Sequence, residues 1–158
     1  MKFDLPLKLN VPYLEFLRRN EDLLYSVYFQ APDFVGDARI HVTAINKSDL
    51  QAASDLKCRK YMTLNGRTTP LAVYGTLGNN LTQQINALYQ EQLLTGILIL
   101  DFYLLRKLAD EGLDRGIDVV PSINMGIDSV AKAHSAVQHI VNMGFSVPSK
   151  LILDLALS

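Results

Sequence analysis

Very little in this chain announces a function outright. Cys58 is the only cysteine among 158 residues, which excludes an intrachain disulfide and any site built from several of the chain's own thiolates. Neither sign of charge dominates. Fifteen basic and sixteen acidic side chains leave a formal net charge of -1, so there is no sequence-wide footprint for nucleic acid or an anionic membrane, and a nucleic-acid partner is unsupported. No apolar run approaches the ~20 residues of a membrane helix. Residues 1–10 lack the cationic flank and long apolar stretch of a secretory signal. These absences predict a soluble cytoplasmic protein with no membrane partner.

The motifs of common cofactors are missing as well. Gly75-Thr76-Leu77-Gly78 has neither the spacing nor the preceding clear strand of a phosphate-binding loop. His134 and His139 are five apart on one expected helix, so they do not share a face as a metal pair four apart would. His41 follows a loop. No metal and no cofactor is expected. The surroundings of Cys58, Lys57-Cys58-Arg59-Lys60, could lower a thiol pKa; the plainer reading is a cysteine at the end of a surface helix.

What the chain does have is rhythm. An apolar run rich in branched residues, a polar residue as the run ends and then a capped amphipathic helix recur about six times, which reads as parallel strands joined by crossover helices. The expected strands are residues 7–13 (LKLNVPY), 25–29 (YSVYF), 61–64 (YMTL), 96–100 (GILIL), 117–120 (IDVV) and 151–157 (LILDLAL). Helices are expected over 14–24, 48–57 capped by Ser48, 81–93 capped by Asn80, and 103–111 ended by Gly112. A last one is capped by Asp128 and ended by Gly144. Residues 30–39 read as a loop. Residues 65–80 (NGRTTPLAVYGTLGNN) form the longest irregular stretch, a candidate lid or binding loop. At 49% hydrophobic the chain suits one α/β domain over residues 1–158.

Several of these segments resemble a known family. Tyr28-Phe29 at one strand end, Thr63-Leu64-Asn65 at the next, then Ile99-Leu100-Asp101-Phe102-Tyr103-Leu104-Leu105, Pro121-Ser122-Ile123-Asn124-Met125 and Leu151-Ile152-Leu153-Asp154 are similar to pieces of the collagenase-like peptidase family, peptidase family U32. There the pieces run close to VYFG, VTLN, VQDLGLL, HASTQMN and VVLARELS, at similar intervals along a TIM barrel. The resemblance covers most of the chain from about residue 5 and implies a barrel-derived fold. Family members with known chemistry are RNA or quinone hydroxylation factors carrying an iron–sulfur cluster. The cluster's cysteine ligands are not in this chain, so the resemblance implies the fold without that activity. With the six units of the rhythm, the expected fold is an incomplete TIM barrel of about six βα units, where a full barrel has eight. An open doubly wound sheet is the alternative architecture.

Parallel strands end on one rim. Gln30, Asn65, Arg67, Asp101, Ser122, Asn124 and Asp154 follow the apolar runs and approach one another there, where ligands of such folds bind. Asp101, directly after GILIL, is either a partly desolvated base or cation ligand or the cap of the helix behind it. Arg67, beside Gly66, could grip a carboxylate or phosphate. Ser122 and Asn124 offer neutral hydrogen bonds, and no histidine lies near them in sequence to make a nucleophile and base pair. Turn residues at strand ends are polar for solvation alone. Two functions remain. One is a noncatalytic or partner-dependent interaction or scaffold protein derived from a barrel; the other is an enzyme, or enzyme subunit, binding a small polar ligand at the strand C-terminal rim. A sheet ending at a sixth strand leaves open edges along residues 7–13 and 151–157, which predicts a homo-oligomer or a second polypeptide completing the barrel.

Overall fold

The structure, a computed structural model, describes residues 1–30, 47–65 and 71–153, the side chains of 71–79 excepted. Strands and helices alternate along it: β1 (Phe3–Pro6), α1 (Val11–Arg19), β2 (Leu24–Gln30), α2 (Lys47–Ala52), β3 (Arg59–Leu64), α3 (Leu71–Gln90), β4 (Gly96–Ile99), α4 (Phe102–Asp110), β5 (Asp118–Pro121) and α5 (Val130–Asn142). Short 3-10 turns occupy Glu21–Leu23 and Ile123–Met125. Every described pairing is parallel, and the neighbours follow chain order, β1-β2-β3-β4-β5, without a reversal.

The two faces of this sheet are covered differently. Met62, Leu64, Ile97, Ile99 and Val119 join one core to which every helix contributes, through Leu17, Leu50, Ile85, Leu108 and Ile140. Burying side chains of this size stabilises by roughly 1.5–3 kcal/mol each. The alternate residues, Tyr61, Leu98 and Val120, form a small second cluster with Tyr28 and Ile152, which among the described residues contains no helical one.

Three of the helices end in the same way. In α3 the Leu93 N–H donates to Leu88 O (2.9 Å) and Gln92 N–H to Tyr89 O (3.0 Å). In α4 the pairs are Leu113 to Leu108 and Gly112 to Ala109, and in α5 they are Phe145 to Ile140 and Gly144 to Val141. Each is a Schellman motif with a buried apolar pair across it. The residue that turns left-handed is Gly112 (φ 90°) and Gly144 (φ 88°) in two of them, but Gln92 (φ 60°) in the first.

Several sequence expectations need correction. The first strand is Phe3–Pro6, not residues 7–13; Val11, Pro12 and Tyr13 open α1. Asn10 caps that helix by accepting from Tyr13 N at 3.0 Å, and Pro12 sits in the first turn, where its missing N–H costs nothing. The edge strands are therefore Phe3–Pro6 and Asp118–Pro121 among the described residues. Residues 71–80 belong to α3, so that part of the expected lid is helical, and Asn80 lies inside the helix, accepting from Gln84 Nε2 at 3.1 Å, instead of capping it. Packing of Leu81, Ile85 and Leu88 on the sheet outweighs the weak propensity of the glycine-containing half. Ser129, not Asp128, caps α5; Asp128 instead pairs with Lys132 at 2.7 Å. Residues 151–153 form no strand. The rest of that expected sixth strand, most of the loop over 30–39 and His41 lie outside the described residues.

Candidate functional site

At the carboxyl ends of the strands, register decides which side chains meet. Leu64, Ile99 and Pro121 are aligned, so Asn65, Leu100 and Ser122 stand one residue beyond them at one level. Ser122 N–H still donates to Ile99 O at 2.8 Å. Alternation carries these three onto the face of Tyr61, Leu98 and Val120. Gln30, opposite Thr63, lies on the same face one level below. The structure therefore brings Gln30, Asn65 and Ser122 to one face of the rim.

Asp101 falls on the other side. Its Oδ1 accepts from Tyr103 N at 2.7 Å and Leu104 N at 3.4 Å, the geometry of an N-cap for α4. Ser122 Oγ likewise accepts from Asn124 N at 3.3 Å. Asn124 sits in the following turn and lines a cleft of about 380 Å³ with Leu100, Phe102, Met125 and Lys132; the lysine is held by Asp128 (2.7 Å) and by Gly126 O (3.3 Å). Asn65 is only 8% exposed, and its Oδ1 meets no hydrogen-bond donor among the described residues. Arg67 and Asp154 lie outside the described residues. What is described of this rim can hydrogen-bond a neutral polar group.

The other polar concentration lies near the amino ends of the strands, on the same face, which no helix covers among the described residues, and sequence reasoning missed it. Tyr61 OH donates to Asp118 Oδ2 at 2.7 Å and lies 3.0 Å from Ser149 Oγ. Asp118 also accepts from Ser149 N at 3.0 Å and from the Ser149 hydroxyl, with Arg59 Nη1 at 3.7 Å. One residue on, Lys150 Nζ donates to Asp4 Oδ1 at 2.8 Å and Ser26 Oγ at 3.0 Å. It stands 4.6 Å from the Tyr61 ring centroid and 5.0 Å from that of Tyr25. Burial, aided by the Asp118 carboxylate, pushes the Tyr61 phenol up to about 12. The signal that could have found this network is Asp118 inside IDVV, a carboxylate within an apolar strand that must have partners.

Cys58 precedes β3 and is half-buried. Burial pushes its thiol up, outweighing the lowering by Lys60, which corrects the activated-thiol reading. Among the described residues no three His, Cys, Asp or Glu side chains gather as a metal-binding group. An iron–sulfur cluster of the kind the family resemblance implies needs several thiolates, and a lone, half-buried Cys58 at the strand ends opposite the rim does not fit one. His134 is exposed and His139 packs its ring 5.2 Å from that of Phe102. No helix among the described residues is long and apolar enough to cross a membrane.

No protein-family model matches the chain, and no curated protein matches it in sequence. In three dimensions it is similar to the solved structure of the U32 peptidase Mk0906, with a TM-score of 0.65 and 18% identity over 99% of this chain. This chain spans 60% of that protein's length. At that identity the likeness concerns the fold, and it makes the present α/β chain a distant U32-like fold.

Proposed function

We propose that this chain is a noncatalytic, partner-dependent interaction protein of the cytoplasm, built on a partial barrel wound in one direction. Sequential strand order supports the barrel reading over the doubly wound one, because a doubly wound sheet reverses its order where helices change faces, and here all the described helices share one core. The observation that carries the noncatalytic reading is the fate of Asp101: the carboxylate that the described rim offers is hydrogen-bonded to the first turn of α4. β1 and β5 each pair on one side only among the described residues, and such edges recruit partners. Light scattering at micromolar concentration tests this. A dimer or larger assembly, or a stable complex with a second polypeptide, is expected, and a monodisperse monomer that captures nothing overturns it.

A second reading, a small polar ligand at the rim, is favoured by one feature: the buried Asn65 Oδ1 without a donor among the described residues. A ligand hydroxyl or amine would satisfy it, and ligands of parallel α/β folds bind at the carboxyl ends of the strands. Asn65→Leu decides between the two. In the noncatalytic reading the variant is at least as stable as the parent, since an unsatisfied buried amide costs about 1–3 kcal/mol. In the ligand reading it abolishes stabilisation by polyols or amino compounds that the parent chain shows.

A further inference from the structure

We infer that Asp4, Ser26, Tyr25 and Tyr61 form a binding site for a primary alkylammonium group on the Tyr61–Leu98–Val120 face of the sheet, and that Lys150 is its resident ligand. All three ammonium protons have somewhere to go. Asp4 Oδ1 and Ser26 Oγ accept two, at 2.8 and 3.0 Å, and the third faces two tyrosine rings, both within the ~6 Å at which a cation is attracted to an aromatic face. The Lys150 side chain is 13% exposed, and its Asp4 partner, at 38%, leaves one side of the site open to water.

Two observations separate this arrangement from an ordinary surface ion pair. First, the walls and the occupant belong to different kinds of structure. The walls stand on β1, β2 and β3, whereas Lys150 rides on residues 145–153, which form neither helix nor strand. Second, every wall is held by a partner other than the lysine. Asp4 and Ser26 face each other in register and share a hydrogen bond. The Tyr61 hydroxyl is fixed on Asp118, and the Tyr25 hydroxyl accepts from Arg59 Nη1 at 2.9 Å. A cage whose parts are positioned without its ligand is preorganised, so binding need not order it. Lifting the 145–153 segment leaves a vacancy shaped for the end of a lysine side chain. The segment is a strap, with Ser149 as its second hook on Asp118.

This inference does not depend on the interaction-protein reading. Its test is chemical rescue in the full chain. Lys150→Ala empties the cage, and n-butylammonium chloride, with n-butanol and sodium chloride as controls, is then added to parent and variant. The expected result is a rise of about 2–4 °C in the melting temperature of Lys150→Ala with the ammonium alone, no such rise in the parent, and none in Asp4→Asn/Lys150→Ala. Equal responses to butanol and butylammonium, or equal responses of parent and variant, overturn the proposal. If Lys150→Ala does not fold, the proton spectrum of the parent decides. Two facing rings place the Lys150 ε-methylene resonance upfield of every other lysine, and finding it among them overturns the cage.

Discussion

The Tyr61 phenol and the Asp118 carboxylate meet at 2.7 Å although they stand on strands separated by a third. The register puts Gly96 of β4 between them. A side chain on Gly96 would meet the backbone carbonyl of Asp118 and come within 2.9 Å of its Cβ. The glycine is what lets β4 and β5 approach here and leaves the space the tyrosine crosses.

Gly96→Ala is therefore expected to destabilise the protein by at least about 2 kcal/mol, near the upper range for overpacked sites. Tyr61→Phe keeps the ring and loses only the hydroxyl, so about 1–2 kcal/mol is expected. Urea denaturation of both variants checks the order; a phenylalanine variant worse than the alanine variant would contradict this account.

Alkaline titration should also report on this tyrosine. Tyr61 keeps its proton to about 12 in the folded chain, whereas an unfolded tyrosine ionises near 10. Between those values the unfolded state binds fewer protons, so the stability due to this phenol is complete below pH ~10 and is lost as pH rises through ~12. Burial raises Tyr13 and Tyr28 as well, so ultraviolet difference spectra should show several late-ionising tyrosines, one of them lost in Tyr61→Phe.

Lys60 acts in the opposite direction. It is 5% exposed, its ammonium donates to Leu56 O, and burial lowers its pKa below the usual lysine value. The unfolded state binds the extra proton over the window between the lowered value and ~10.5, so this group's contribution rises with pH across that window. Lys60→Met keeps the stem without the buried charge and is expected to stabilise by about 1–2 kcal/mol at neutral pH. The gain should shrink as pH approaches 10, which melting curves at pH 7 and 10 would reveal.

Gln92 holds a left-handed backbone (φ 60°) at the position where α4 and α5 use glycine. Gln92→Gly removes a Cβ penalty of ~1–2 kcal/mol against a smaller backbone-entropy cost, for a net gain of about 0.5–1 kcal/mol. A lower melting temperature in that variant would mean that the Gln92 side chain contributes contacts outweighing the strain.

The middle of the sheet is easy to read from sequence because both its faces are buried: YMTL, GILIL and IDVV are apolar throughout or nearly so and fall within a residue or two of β3, β4 and β5. Gly112 and Gly144 mark helix ends for a reason visible in one residue, while Gln92 hides the same turn. The start of the chain misleads, since LKLNVPY alternates like a strand and only the side-chain bond from Asn10 to Tyr13 turns it into a helix start. At the rim, strand ends locate Gln30, Asn65 and Ser122, but whether Asp101 faces the rim or its own helix depends on one backbone step. The Lys150 cage was beyond reach, because it joins residues from both ends of the chain.

That last contact also orders events in time. Lys150 and Asp4 are 146 positions apart, and closing so long a loop gains little until the strands between are in place. The strap is thus expected to dock late in folding, after the transition state. Loosening it should leave the rate of folding nearly unchanged and speed unfolding, so that Lys150 governs how long the native chain persists more than how fast it forms.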